Sequence, residues 1–135
     1  MSLPDKKLIF VVDDDPIYTK VVSEYLSKEI PNLEFKLFNT GEACLHELDL
    51  EPVAIVMDYF MNSEFENAWN GQQILKKILN INPSMSVIII SAQHDMEVAL
   101  NCLRLGAFDY IIKNENALPA IKSAITNVID ETVEY

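Results

Sequence analysis

Three apolar runs in this chain each stop abruptly at a polar residue with no alternation beforehand. Leu8-Ile9-Phe10-Val11-Val12 runs into Asp13-Asp14-Asp15, Val53-Ala54-Ile55-Val56-Met57 into Asp58, and Val87-Ile88-Ile89-Ile90 into Ser91. Short runs of β-branched residues without polar interruption read as strands covered on both faces, the situation of a parallel sheet between helical layers. In such sheets, ligands sit beyond the carboxyl ends of the strands, near the point where strand order reverses. The chain therefore gathers carboxylates and a hydroxyl where a helix-covered sheet binds its ligands.

Between these runs the apolar period changes to a helical one. Asp15-Pro16 opens a helix, the Asp as cap and the Pro in the first turn, with Ile17, Val21, Tyr25 and Leu26 expected to face inward. Leu33–Phe38 alternates and reads as a half-exposed edge strand. Asn39-Thr40-Gly41-Glu42 starts a second helix, and Pro52 separates it from the central strand. A third helix carries Ile74, Leu75, Ile78 and Leu79. A fourth carries Val98, Ala99, Cys102 and Leu103 and closes on Gly106. Phe108–Ile112 forms a fifth strand ending at Lys113, and Leu118, Ile121, Ala124, Ile125 and Val128 mark a fifth helix. Strand and helix alternate five times, which implies right-handed crossovers, three layers, and a doubly wound (βα)5 fold with a five-stranded parallel sheet; with the second strand at an edge and the first, third and fourth buried, its order is 2-1-3-4-5.

The 135 residues suit one domain spanning 1–135, with residues 1–6 read as a disordered or appended lead and 59–70 as an extended loop. A net charge of −11 argues against direct nucleic-acid binding and favours a divalent cation or a basic partner surface. Cys44 and Cys102 fall in helical patterns without metal-ligand spacing and read as small buried thiols. No apolar stretch reaches the roughly 20 residues of a membrane span, so the expected location is cytoplasmic.

Asp13, Asp14, Asp58, Ser91 and Lys113 thus converge on one edge of the sheet. Each has an ordinary reading alone, as a helix cap, a turn residue or a solvated cation; their coincidence is what points to chemistry. Carboxylates about 5 Å apart repel by roughly 3 kcal/mol per pair at an effective dielectric of about 20, so the cluster requires counter-charge. Lys113 supplies part of it. Mg²⁺ suits the rest, since it takes one or two carboxylates together with water and phosphate oxygens, while the lack of nearby His or Cys argues against zinc. A carboxylate beside Mg²⁺ can act as a nucleophile toward phosphorus and give an aspartyl phosphate.

The segments Phe10-Val11-Val12-Asp13-Asp14, Val56-Met57-Asp58, Ile89-Ile90-Ser91-Ala92 and Tyr110-Ile111-Ile112-Lys113 resemble, in order and over nearly the whole chain, the receiver domain of two-component response regulators. That resemblance implies a CheY-like, flavodoxin-like fold in which Asp58 accepts a phosphoryl group from a sensor histidine kinase or a histidine phosphotransfer protein. It further implies that Asp14 and Asp58 hold Mg²⁺ directly, with the Phe60 carbonyl as third ligand and Asp13 acting through water. Ser91 would bind a phosphoryl oxygen, Lys113 would pair with the phosphoryl group, and Tyr110 would be the switch aromatic. The surface of fourth helix, fifth strand and fifth helix would meet a downstream protein or output domain, and a homodimer on phosphorylation is compatible with it. Phe60 and Gln93 would flank the path of the hydrolytic water, with Phe60 shielding the acyl phosphate. The chain departs from the family at Met61-Asn62, where a proline is usual, and at Gly71, which comes about five residues late.

Two further readings compete with a phosphorylation switch that turns over no other substrate. One is a haloacid-dehalogenase-like phosphatase with Asp13 as nucleophile and Asp15 as acid/base, which the third-strand position of Asp58 argues against. The other is a pseudo-receiver, an interaction module with an unused site, which the presence of all five residues argues against. With no output segment after Tyr135, the expectation is either a stand-alone regulator or a receiver cut from a longer chain.

Overall fold

The computed structural model describes residues 6–59 and 70–131. Its elements run β1 (Lys7–Val12), α1 (Pro16–Glu29), β2 (Leu33–Phe38), α2 (Gly41–Leu45) with a short 3-10 turn at Leu48–Leu50, β3 (Ala54–Asp58), α3 (Gly71–Ile81), β4 (Ser86–Ser91), α4 (Met96–Leu105), β5 (Asp109–Ile112) and α5 (Ala117–Glu131). All strand pairs are parallel, as the alternation of strand and helix patterns implies, and the order is β2-β1-β3-β4-β5, with the alternating second strand at an edge. The expected lead at residues 1–6 lies outside the described residues except for Lys6, and the expected loop does so from residue 60 to residue 69.

Side-chain alternation divides the core into two layers. Phe10, Val12, Ile55, Met57, Val87 and Ile89 pack against α2, α3 and α4. Ile9, Val11, Ala54, Val56, Ile88, Ile90 and Ile111 pack against α1 and α5. The three inner strands are buried along nearly their whole length, whereas β2 is half exposed, in keeping with its edge position. That the apolar runs lack alternation follows directly from the helical cover on both faces.

The helix termini follow their local chemistry. Asp15 caps α1 by accepting from the amides of Ile17 and Tyr18, Thr40 caps α2, Asn70 and Gln73 form a capping box on α3, and Asp95 caps α4. Gly106 ends α4 at φ 116°, in the left-handed region expected of a glycine C-cap.

The α1 phase differs from expectation. Its buried residues are Thr19, Val22 and Leu26, while Ile17 is 74% exposed and Val21 also faces solvent. Thr19 tolerates burial because its hydroxyl donates to the Pro16 carbonyl at 3.0 Å, and counting apolar residues alone therefore rotates the helix by about one position. Leu103 of α4, expected inside, is also exposed.

The connection after β3 closes on itself. The Tyr59 amide donates to Ile90 O and extends the ladder one residue beyond Asp58, while the Tyr59 carbonyl accepts from the Gly71 amide, both at 2.8 Å. A Cβ on Gly71 would lie 2.6 Å from the Tyr59 Cα. Tyr59 is thus buried core rather than the first residue of a free loop, and the chain returns at Gly71 to the point it left.

Candidate functional site

Strand ends bring the predicted residues together. Asp13 and Asp14 follow β1, Asp58 ends β3 between β1 and β4, Ser91 ends β4, and Lys113 follows β5. Carboxylate oxygens of Asp13, Asp14 and Asp58 lie within 4.8 Å of one another. Asp13 is 1% exposed and Asp58 is likewise buried, while Asp14 is half-buried.

Lys113 supplies the counter-charge that such a cluster needs. Its Nζ donates to Asp13 Oδ2 at 2.8 Å and stands 3.6 Å from Asp58 Oδ2. The same ammonium lies 4.1 Å from the centroid of the Tyr18 ring. Burial pushes the Asp13 carboxyl up from its ordinary value, against the lowering pull of the Lys113 hydrogen bond and charge and of the Asp15 amide. Burial alone would lower the Lys113 ammonium, but its hydrogen bond to Asp13 and the charges of Asp13 and Asp58 outweigh that and raise it. Both directions describe a salt bridge placed inside a desolvated, net negative pocket.

Ser91 is fully buried, and its hydroxyl accepts from the Gln93 amide at 3.1 Å. The Lys113 amide donates to the Ser91 carbonyl at 2.7 Å, so the hydroxyl-bearing and ammonium-bearing residues share one backbone bond. Tyr110 is half-buried against the α3/α4 layer rather than against the last helix. Its hydroxyl is buried beside Ser91 without a hydrogen-bond partner among the described residues, and burial raises its pKa. A groove of about 310 Å³ opens next to it, between Met96 and Ala99 of α4 and Ile112 of β5. The Gln93 side chain is exposed, and Phe60 lies outside the described residues.

The donor set is three carboxylates, all oxygen, with two of them buried. Among the described residues no imidazole or thiolate joins the cluster, so the site fits a hard divalent cation such as Mg²⁺ and does not fit zinc. Tyr18 is the site neighbour that sequence reasoning missed. The signal for it was the α1 phase: with Val22 and Leu26 inward, Tyr18 falls on the same face.

A parallel sheet in this order with an acidic pocket at its carboxyl edge defines a receiver-type fold, and the family comparison agrees. The response regulator receiver domain model matches residues 9–126, and the chain belongs to that family. Among curated relatives it is 32% identical to a protein-glutamate methylesterase/protein-glutamine glutaminase of Bacillus subtilis, covering 82% of this chain and 30% of that protein. It is 25% identical to the chemotaxis protein CheY of Thermotoga maritima, covering 79% of this chain and 85% of that one. A response regulator receiver domain protein from Clostridium thermocellum superposes with a TM-score of 0.79 at 25% identity, covering 93% of this chain and 95% of that one. The chain spans less than half the length of the larger curated relatives it matches. Among the described residues, no helix is long and apolar enough to cross a membrane.

Proposed function

We propose that the chain is a phosphorylation-controlled receiver in which Asp58 is the phosphoacceptor. One observation carries this: Asp58 is a buried carboxylate on the central strand, set against two further carboxylates and a lysine ammonium at 3.6 Å. An Asp58 carboxylate oxygen attacks phosphorus in line, a P–O bond forms, and the P–N bond to a donor histidine breaks, its electron pair staying on that nitrogen so that a ring protonated on its other nitrogen departs as neutral imidazole. Lys113 neutralises charge on the phosphoryl oxygens, and the Ser91 hydroxyl donates to one of them. Asp14 and Asp58 would hold Mg²⁺ directly and Asp13 through water, with the carbonyl of Phe60, a residue outside those described, as a further ligand, and the bound cation would supply further neutralisation of phosphoryl charge.

The competing assignment of Asp13 as nucleophile is poorly supported by its surroundings. One Asp13 oxygen accepts from the Asp15 amide at 2.9 Å and the other from Lys113. Asp15, its would-be acid/base partner, is engaged as the cap of α1.

The donor is a histidine kinase or a histidine phosphotransfer protein. Phosphorylation adds charge and acceptor oxygens that draw Ser91 and Lys113 inward. Because those two residues share a backbone bond, the pull reaches Tyr110 and the α4-β5-α5 face, where Met96, Leu100 and Leu103 are exposed and offer an apolar surface to a downstream partner. The test is intact mass after incubation with Mg²⁺ and a small acyl-phosphate donor. A single phosphoryl adduct on wild type, absent from Asp58→Asn, supports the reading. An adduct surviving in Asp58→Asn moves the nucleophile to the Asp13–Asp15 cluster.

A further inference from the structure

Lys113 is held by more than its two carboxylates. Its side chain is 21% exposed, and a lysine stem has the freedom to swing its ammonium into solvent. The ring of Tyr18 also stands 4.1 Å from Nζ, close enough for a cation–π contact in a partly desolvated setting. Four residues close a circuit here. The Asp15 amide donates to Asp13 Oδ1 at 2.9 Å, the Tyr18 amide donates to Asp15 Oδ1 at 3.4 Å, the Tyr18 ring faces Lys113 Nζ, and Lys113 Nζ returns to Asp13 Oδ2 at 2.8 Å. The start of α1 therefore ties the Asp13 carboxylate through the Asp15 amide and the Tyr18 backbone through the Asp15 side chain.

The identity of residue 18 adds an independent argument. Tyr18 packs at the rim of the α1/α5 core, and its hydroxyl is buried without a hydrogen-bond partner among the described residues. An aliphatic residue would fill this rim without burying an unpaired polar atom, which is costly. What tyrosine offers in return is its aromatic face, and Lys113 is what that face meets.

We propose that Tyr18 is a positioning residue that clamps Lys113 against Asp13 and Asp58, so that the ammonium is already in place when a phosphoryl group arrives. This rests on the phosphoacceptor reading of Asp58. Transfer of a phosphoryl group depends mainly on pre-placed charge, since the protein does little covalent chemistry of its own. The ring acts through Lys113 and touches no reacting atom.

The test compares wild type with Tyr18→Phe, Tyr18→Leu and the less disruptive Tyr18→Met. In lysine-labelled protein without divalent cation, NMR is expected to show the Lys113 ε-protons shifted upfield by the ring in wild type and Tyr18→Phe. They return to ordinary lysine positions in Tyr18→Leu and Tyr18→Met. With saturating Mg²⁺ and a small acyl phosphate, Tyr18→Phe is expected to accept phosphoryl within about twofold of wild type. Tyr18→Leu and Tyr18→Met slow about tenfold, the equivalent of about 1.4 kcal/mol. The clamp is overturned if wild type lacks the ring shift, if Tyr18→Phe slows as much as Tyr18→Leu, or if the aliphatic variants lose the shift yet accept phosphoryl at the wild-type rate. If wild type takes no phosphoryl group at all, the phosphoacceptor reading fails, and the Lys113 resonances alone then decide the clamp.

Discussion

Replacing Asp58 by asparagine is expected to stabilise the metal-free protein. Asp58 lies within 4.8 Å of Asp13 and of Asp14, and each like-charge pair at that distance costs about 3.5 kcal/mol at an effective dielectric of about 20. The attraction to Lys113 at 3.6 Å returns about 4.6 kcal/mol on the same scale. Removing the charge thus relieves about 7 kcal/mol and forfeits about 4.6, a gross gain near 2.4 that the partial exposure of Asp14 trims to about 1–2 kcal/mol. Urea unfolding at neutral pH with a chelator present reads this as a higher midpoint at unchanged slope, and thermal unfolding as roughly 3–8 °C. Saturating Mg²⁺ reverses the order, because a ligand at 100 times its Kd adds about 2.7 kcal/mol to the form that binds it. Acid also removes the difference. The Asp13 carboxyl is raised above 3.8, so as pH falls through its folded value the native state takes up a proton and the Asp13–Asp58 repulsion is lost, which is enough to cancel the gain. A variant no more stable than wild type in chelator, or one whose advantage survives Mg²⁺ intact, would refute the account of the cluster as strained by its own charge.

Three shorter expectations follow from the same geometry. Lys113→Met strands the buried Asp13 carboxylate and should cost about 2–4 kcal/mol in chelator, less once Mg²⁺ is added; urea midpoints with and without the cation check it. The Lys113 ammonium is raised above 10.5, so its contribution is complete below that value and is lost as pH rises through the higher folded one. Wild type should therefore lose stability in that alkaline window and Lys113→Met should not. Gly71→Ala drives a Cβ to 2.6 Å from the Tyr59 backbone, where no side chain can yield. It should cost more than Asp95→Ala at the α4 cap, itself worth about 1 kcal/mol, and differential melts of the two variants decide the order.

The sheet and its site were legible because their signals are local. A parallel strand covered on both faces has to be a continuous apolar run, and each run ends where its polar residue meets the ligand edge. Asp13, Asp14, Asp58, Ser91 and Lys113 could be named from those endings alone. Helix phase was less legible. Ile17 and Val21 look like core by hydropathy, yet the inward positions are Thr19 and Val22, since Thr19 satisfies its hydroxyl within its own turn. That rotation hid Tyr18, and no local pattern links it to Lys113, because the two meet only when α1 and the end of β5 pack against the same face of the sheet. Tyr59 was misread for a related reason: the bonds that pin it reach to Ile90 and Gly71, both distant in sequence.

The two-layer alternation of β5 carries a consequence for chain length. Ile111 belongs to the α1/α5 layer and Tyr110 to the opposite one, and Lys113, two residues beyond Ile111, meets Tyr18 on the α1 side. Tyr110 and Lys113 are an odd number of residues apart, and that parity is what sends one toward the α4 groove and the other toward the carboxylates. A single insertion or deletion between them would make that number even and put both on one face, so that either the ammonium enters the apolar layer beside Tyr110 or the tyrosine lands among the acids beside Lys113. Chain length is therefore fixed between Tyr110 and Lys113, on a strand end where no compensating slip is open to either side chain.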